Sequence, residues 1–164
     1  MRLSEEDFRR LVERNPSLAK YCDPKPNITK YRNVKVYEFE DGFVSPDKTV
    51  QNHGSLKFVY DSGKEYERWF ELKILERAGK IQNLERQKVL LIQDGFTYNG
   101  NEKPLKVNKI VYKADFFYIE NGVTVVEDVK PFDDITQEYR LTKDFSLKWK
   151  LLMYKYPNYK FKII

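Results

Sequence analysis

The stretch VNKIVYKADFFYIENGVTVVEDVK, residues 107–130, contains two runs rich in β-branched and aromatic residues on either side of Asn121-Gly122. Such runs favour β-strands. Asn-Gly is the strongest short signal for a two-residue hairpin turn, because both residues accept positive φ angles. We therefore predict strands over 107–120 and 123–130, joined as an antiparallel hairpin.

The turn fixes which residues lie opposite each other. With a two-residue turn at Asn121-Gly122, Asp115 lies opposite Asp128. Because side chains alternate along a strand, Asp115, Asp128 and Lys130 share one face, and Glu127 points to the other. Opposed carboxylates repel unless they are compensated, and Mg²⁺ would supply compensation because it binds carboxylate oxygens. The alternative is an exposed face on which acids and lysines form ordinary surface ion pairs.

The pattern around the hairpin predicts an α/β fold class with a mixed α+β sheet flanked by helices. A helix is expected over 64–78, because Asp61 or Ser62 can cap its start and Gly79 its end. The other predicted elements are a strand over 81–92, a helix from about Thr136 to Tyr156, and a last strand over 159–164.

Residues 1–52 are interpreted as a lead-in appended to a core over 53–164. A capping-box-like start at Ser4 predicts a short helix. A strand over 34–40 followed by the turn signal Asp41-Gly42 predicts a β-hairpin. No chemistry is assigned to this part of the chain.

Charge is concentrated towards the C-terminus. The chain has a formal net charge of +5, and residues 139–164 hold seven basic residues against the single acid Asp144. Such a segment either engages phosphates or forms a lysine-rich solvated surface.

Composition also limits the class of protein. The single cysteine, Cys22, cannot form an internal disulfide, which fits a reducing cytoplasm. No apolar run approaches the ~20 residues of a membrane span, and the few glycines form no phosphate-binding loop. We therefore expect a cytoplasmic protein without a membrane partner or a nucleotide cofactor. His53 is expected to be structural or exposed.

The hairpin carries a motif that resembles a known nuclease signature. Ala114-Asp115 is followed, thirteen residues after Asp115, by Asp128-Val129-Lys130, and this resembles the PD-(D/E)xK motif. The string DSGKEYERWFELKILERAGKIQNLERQ, residues 61–87, together with YKADFFY and VVEDVK, resembles a family of small phage proteins similar to Holliday-junction resolvases. Ala114 replaces the proline of the motif's name, which is not a metal ligand.

The resemblance implies a restriction-endonuclease-like αβββαβ core over about 61–164 and a metal-dependent DNA endonuclease. It implies that Glu65, Asp115 and Asp128 hold Mg²⁺ or Mn²⁺ and that these residues and Lys130 are catalytic. Gln87 matches a recurrent glutamine of the family and would hold a ligand or a phosphate.

Several of these residues have alternative interpretations. Glu65 follows Ser62 at the spacing of a capping box, in which its carboxylate bonds back to the helix start. Gln87 is equally interpreted as a polar residue at a strand edge. Lys148 lies in an otherwise apolar stripe of the second helix, where it either reaches a substrate phosphate or pairs with Asp144 at i,i+4.

The second helix also offers two lysines on its other side. Lys143 and Lys150 face away from the apolar stripe, as judged from helical periodicity. They are candidates for contacts with the DNA backbone or serve solubility alone.

The function expected from the resemblance is hydrolysis of phosphodiester bonds in branched DNA, such as a four-way junction. Two symmetric cuts in a junction imply a homodimer, acting in the host bacterial cytoplasm if the protein is phage-encoded. The alternatives are a nuclease acting on DNA ends or flaps, and a non-catalytic DNA-binding accessory protein of replication or recombination. The non-catalytic protein would bind DNA without metal.

Overall fold

The computed structural model describes residue 10, residues 34–100 and residues 102–164. Backbone contacts divide the chain into two units, Met1–Lys80 and Ile81–Ile164. The described residues form a mixed α+β protein, as predicted. The predicted helix near Ser4 lies outside the described residues. No helix among those residues is long and apolar enough to cross a membrane.

The described part of the first unit consists of a small antiparallel sheet followed by a helix. Its elements are β1 (Val36–Phe39), β2 (Val44–Ser45), β3 (Leu56–Tyr60) and α1 (Gly63–Arg77). Strand β1 lies between β2 and β3, so the sheet joins strands from both sides of residue 52. The predicted turn is confirmed, with Gly42 at a φ of 88°. The predicted division at residue 52 stays a prediction.

The second unit contains most of the strands that the described residues form. Its elements are β4 (Ile81–Gln93), β5 (Phe96–Tyr98), β6 (Leu105–Val107), β7 (Ile110–Glu120), β8 (Val123–Asp128), β9 (Phe132–Asp133), β10 (Glu138–Tyr139), α2 (Lys143–Lys155) and β11 (Lys160–Ile163). Four strands form one sheet in the order β11-β8-β7-β4. Strands β4, β7 and β8 are antiparallel neighbours, and β11 runs parallel to β8.

The hairpin of β7 and β8 has the predicted turn and register. Asn121 and Gly122 have φ angles of 51° and 78°, which a two-residue turn of this kind requires. Phe117 pairs with Val126, as the predicted register demands. The ladder ends one pair before Asp115 and Asp128, which are therefore the next positions along the two strands.

The predicted helix start near Thr136 is wrong. Helix α2 begins at Lys143, where the Thr142 side chain accepts a hydrogen bond from the Phe145 amide at 3.2 Å. Upstream, the Asp133 carboxylate accepts hydrogen bonds from the amides of Ile135 and Thr136 at 3.0 and 3.2 Å. Such side-chain bonds offer the backbone a turn in place of a helix, and β9 and β10 pair across this turn.

The start of the second predicted strand is also corrected. Strand β7 begins at Ile110 instead of residue 107. Residues 105–107 pair instead with 96–98 in a separate two-stranded sheet. The segment of residues 105–112 is therefore divided between two sheets, which composition alone does not reveal.

Helix α2 packs on one face of the four-stranded sheet through an aromatic core. Its buried residues are Phe145, Trp149 and Leu152. The ring of Tyr112 in β7 lies 6.2 Å from that of Phe145 and 5.8 Å from that of Trp149. Val126 of β8 completes this cluster from the next strand. The packing places α2 over the end of the hairpin that carries Tyr112 and Asp128.

Side-chain alternation is broken in β7 near Asp115. Ala114 and Phe117 both pack in the cluster with Val126, although residues three apart on a regular strand point to opposite faces. The break lies between these two positions. Ala114, which precedes the break, therefore lies on the α2 side of the sheet together with Phe117 and Val126. Regular alternation along β7 would place Ala114 and Phe117 on opposite sides.

The neighbouring strand is irregular at the same level. Gln87 of β4 has a φ of 51°, in the left-handed region that residues other than glycine rarely adopt. It lies between the β4 residues that pair with Phe116 and Ala114, and thus beside Asp115. The irregularity is local to the part of the sheet that carries the candidate site.

Candidate active site

Asp128 is a buried carboxylate at the end of β8, with only 1% of its surface exposed. The Tyr112 hydroxyl donates a hydrogen bond to its Oδ2 atom. Its Oδ1 atom forms an ion pair with the Lys130 ammonium and accepts no regular hydrogen bond from the described residues. The two oxygens therefore differ, since one accepts a hydrogen bond from a hydroxyl and the other is paired with the Lys130 ammonium.

Asp115 brings a second carboxylate to the same end of the hairpin. Its Oδ2 atom accepts a hydrogen bond from the backbone amide of Val129 at 2.8 Å. Val129 lies between Asp128 and Lys130, so the carboxylate of Asp115 is tied to the Asp-Val-Lys segment. This contact agrees with the predicted register, which places Asp115 close to the Asp-Val-Lys segment.

The backbone of this segment is fixed by the last residue of the chain. The Lys130 amide donates to the Ile164 carbonyl at 2.9 Å, and the Ile164 amide donates to the Asp128 carbonyl at 3.0 Å. These two bonds continue the parallel pairing of β8 with β11 past the end of both strands. The side chains of Asp128 and Lys130 therefore project from a well-defined backbone.

Lys130 is held against an aromatic ring. Its ammonium lies 4.5 Å from the centre of the Phe145 ring, within the range of a cation–π contact. Its side chain is 22% exposed, so the positive charge retains access to solvent. A lysine in this position presents a cation beside Asp128 without being buried itself.

Tyr112 lies under the site as a neutral hydroxyl donor. Burial and the nearby charge of Asp115 both raise the pKa of Tyr112 well above its usual range. The hydroxyl therefore keeps its proton and donates a hydrogen bond to the carboxylate of Asp128. A strictly alternating strand would place Tyr112 on the face opposite Asp128, and the break near Asp115 makes the contact possible.

Glu127 points to the other face, as predicted. It is fully buried, and its Oε2 atom accepts a hydrogen bond from the Tyr118 hydroxyl at 2.7 Å. Lys162 joins this group by donating to the Tyr118 hydroxyl at 3.2 Å and to Glu120 at 2.8 Å. The two adjacent acids of β8 thus belong to separate networks on opposite faces of the sheet.

Glu65 forms the capping box that its spacing predicts. Its amide donates to the Ser62 hydroxyl at 3.1 Å, and its Oε2 atom accepts from the Asp61 amide at 2.7 Å. It is buried at the start of α1 in the first unit. The capping interpretation of Glu65 is therefore confirmed, and its role as a metal ligand stays a prediction.

The predicted auxiliary lysines have different surroundings. Lys148 forms an ion pair with Asp144 at 3.1 Å, as the i,i+4 alternative predicts. Lys143 and Lys150 are exposed on α2, as helical periodicity predicts. Contacts of these lysines with DNA stay predictions. Gln87 lies beside Asp115 in β4, the edge strand of the four-stranded sheet, and its role in holding a ligand stays a prediction.

The chemistry of the donors fits a hard divalent cation. Mg²⁺ and Mn²⁺ prefer carboxylate oxygens and are often held by one or two carboxylates with water completing the shell. Asp115 and Asp128 supply such oxygens, and Oδ1 of Asp128 is a buried acceptor without a regular hydrogen bond. A cation there would take the place that the Lys130 ammonium occupies beside this oxygen. Among residues 34–100 and 102–164, no group of three or more potential metal-binding side chains is present.

Residues 48–164 match the model of a protein family described as "Protein of unknown function (DUF1064)". The chain belongs to the DUF1064 family. The match covers the whole candidate site, including Asp115, Asp128 and Lys130. A comparison with curated proteins found no match. The description of the DUF1064 family carries no activity, so the function has to be inferred from the geometry of the site.

Sequence reasoning missed two residues of the site. Phe145 lies under the ammonium of Lys130, and Tyr112 bonds to Asp128. Both have the pattern of ordinary core aromatics, and neither is acidic or basic. The sequence offers one indication, which is that Tyr112 lies only three residues before Asp115. Regular alternation along a strand, however, predicts that these two side chains point to opposite faces.

Proposed function

We propose that this protein is a metal-dependent DNA endonuclease that hydrolyses phosphodiester bonds. The observation that carries the proposal is the group formed by Asp115, Asp128 and Lys130 at one end of the β7–β8 hairpin. A buried carboxylate is costly unless it is paired or coordinates a metal. Two carboxylates can bind a divalent cation, and a partly exposed lysine can contact a phosphate. Together these three side chains suit the hydrolysis of a phosphodiester bond.

Each of the three residues has a distinct role in the proposed reaction. Asp115 and Asp128 hold Mg²⁺ or Mn²⁺, which when bound polarises the phosphate and lowers the pKa of the attacking water. Lys130 supplies positive charge beside these carboxylates and stabilises the negative charge that develops on the phosphate. Phe145 limits the positions that the ammonium of Lys130 can take, because it lies directly under it.

The order of elements along the chain supports the finer assignment of a restriction-endonuclease-like core. Helix α1 is followed by β4, β7, β8, α2 and β11, with two short hairpins inserted. This is the order αβββαβ that the resemblance to PD-(D/E)xK nucleases implies. Glu65 at the start of α1 is the position that the same resemblance assigns as a third metal ligand.

The substrate is proposed to be branched DNA. The exposed Lys143 and Lys150 would contact the phosphate backbone, and affinity is then expected to fall steeply as salt rises. Symmetric cutting of a four-way junction requires two active sites, so the protein is proposed to act as a homodimer.

The test is cleavage of an end-labelled four-way junction and of a linear duplex with the same arm sequence. With Mg²⁺, paired symmetric nicks are expected in the junction, and the linear duplex should remain intact. Addition of EDTA in excess should abolish cleavage, because the carboxylates alone cannot activate water at this site.

The other outcomes of this assay separate the alternatives. Metal-dependent cutting of both substrates would retain the nuclease and reject the preference for junctions. Cutting that persists in EDTA would contradict the proposed chemistry. Binding of the junction without any cutting, equal with and without metal, would favour a DNA-binding accessory protein.

A further inference from the structure

The hydroxyl of Tyr112 lies within the candidate site and is not part of the acid-x-Lys motif. It comes from the α2 side of β7 and donates to Oδ2 of Asp128. The ring is held between α2 and the sheet by contacts with Phe145 and Trp149. The hydroxyl is therefore fixed by packing before any ligand binds.

A hydrogen bond to one oxygen of a carboxylate also fixes the direction in which the second oxygen points. Free rotation would let either oxygen of Asp128 face Lys130, and a bond from Tyr112 to Oδ2 removes that freedom. The remaining oxygen, Oδ1, is the one beside the Lys130 ammonium. Groups that hydrogen-bond to metal-binding carboxylates in this way orient them and tune their affinity.

We propose that Tyr112 is a positioning residue that orients Asp128 so that its Oδ1 atom faces the metal ion. This role rests on the proposed function. Tyr112 touches neither the phosphate nor the ion and acts only through Asp128. Phe145 has the parallel task of holding Lys130, and it also packs against the Tyr112 ring.

The chain contains a matched control for this proposal. Tyr118 is also a tyrosine of β7, it is also buried, and its hydroxyl donates to the buried carboxylate of Glu127 at 2.7 Å. That pair lies on the opposite face of the sheet. Removing either hydroxyl leaves a buried carboxylate with one hydrogen bond fewer, and only one of the two changes touches the site.

The experiment is titration of Mn²⁺ into the full-length protein by isothermal calorimetry, without DNA, for wild type, Tyr112→Phe and Tyr118→Phe. Tyr112→Phe is expected to weaken the affinity for Mn²⁺ by about 10- to 100-fold, whereas Tyr118→Phe should bind as wild type does. Thermal unfolding is expected to show that Tyr118→Phe loses at least as much stability as Tyr112→Phe, because the Tyr118 hydroxyl also accepts a hydrogen bond from Lys162.

The outcomes distinguish failure of this proposal from failure of the nuclease assignment. If wild type binds Mn²⁺ and cuts DNA, and Tyr112→Phe binds Mn²⁺ as tightly, the positioning role is overturned and the nuclease stands. Equal weakening in both tyrosine variants would also overturn it, because the effect would then follow from stability alone. If wild type neither binds Mn²⁺ nor cuts DNA, both proposals fail.

Discussion

Replacement of Asp128 by asparagine is expected to lower the rate of metal-dependent DNA cleavage by about a thousandfold, since metal-ion catalysis supplies several kcal/mol. Asparagine has nearly the same shape as aspartate, so the packing around Tyr112 is retained. Asparagine carries no negative charge, however, so it binds a metal ion more weakly and forms no ion pair with the Lys130 ammonium. The measurement is single-turnover cleavage with saturating enzyme and Mg²⁺.

Glu127→Gln is the control for this variant. Glu127 is the preceding residue and is equally buried, but it belongs to the network of Tyr118 on the opposite face. Its cleavage rate is expected to match that of wild type. Circular dichroism would verify that both variants are folded. A folded Asp128→Asn protein with the wild-type rate, or equal losses in the two variants, would contradict the assignment of Asp128 to the active site.

Leu152→Ala is expected to lower the free energy of unfolding by about 2–5 kcal/mol, because it leaves a cavity in a fully packed core. Leu152 is completely buried in α2 and belongs to the cluster that includes Trp149 and Val126. Helix propensity is not the cause, since alanine is the best helix former. The measurement is urea unfolding followed by circular dichroism.

The exposed Leu147 on the same helix provides the comparison. It is 60% exposed, so Leu147→Ala should change the free energy of unfolding by no more than about 0.5 kcal/mol. If both leucine variants lost the same stability, α2 would not pack on the sheet through the Leu152 face. The site would then lack the support described for Tyr112 and Lys130.

The part of the site that the sequence predicts is the part fixed by local rules. Asn121 and Gly122 dictate a two-residue turn, and the register of Phe117 with Val126 follows directly from it. The placement of Asp115 next to the Asp128 segment is then a matter of counting. The start and end of α1 are likewise set by local capping groups.

The features that the sequence does not predict, in the fold and in the site, depend on interactions that local rules do not capture. The true start of α2 depends on whether Asp133 or Thr142 captures free backbone amides, and both residues are good candidates in sequence. The contact of Tyr112 with Asp128 requires the break in alternation beside Gln87. A positive φ at a glutamine has no sequence signal, and so this contact is visible only in the structure.

The central claim is that Asp115 and Asp128 together form a metal-dependent hydrolytic centre. Its most direct test is single-turnover cleavage of one labelled DNA by wild type, Asp115→Asn and Asp94→Asn over a range of Mg²⁺ concentrations. Asp94 is an exposed acid at the end of β4 and serves as the control. We predict that Asp115→Asn loses cleavage at every Mg²⁺ concentration, while Asp94→Asn follows the wild-type curve. Cleavage by Asp115→Asn that follows the wild-type curve would contradict the claim.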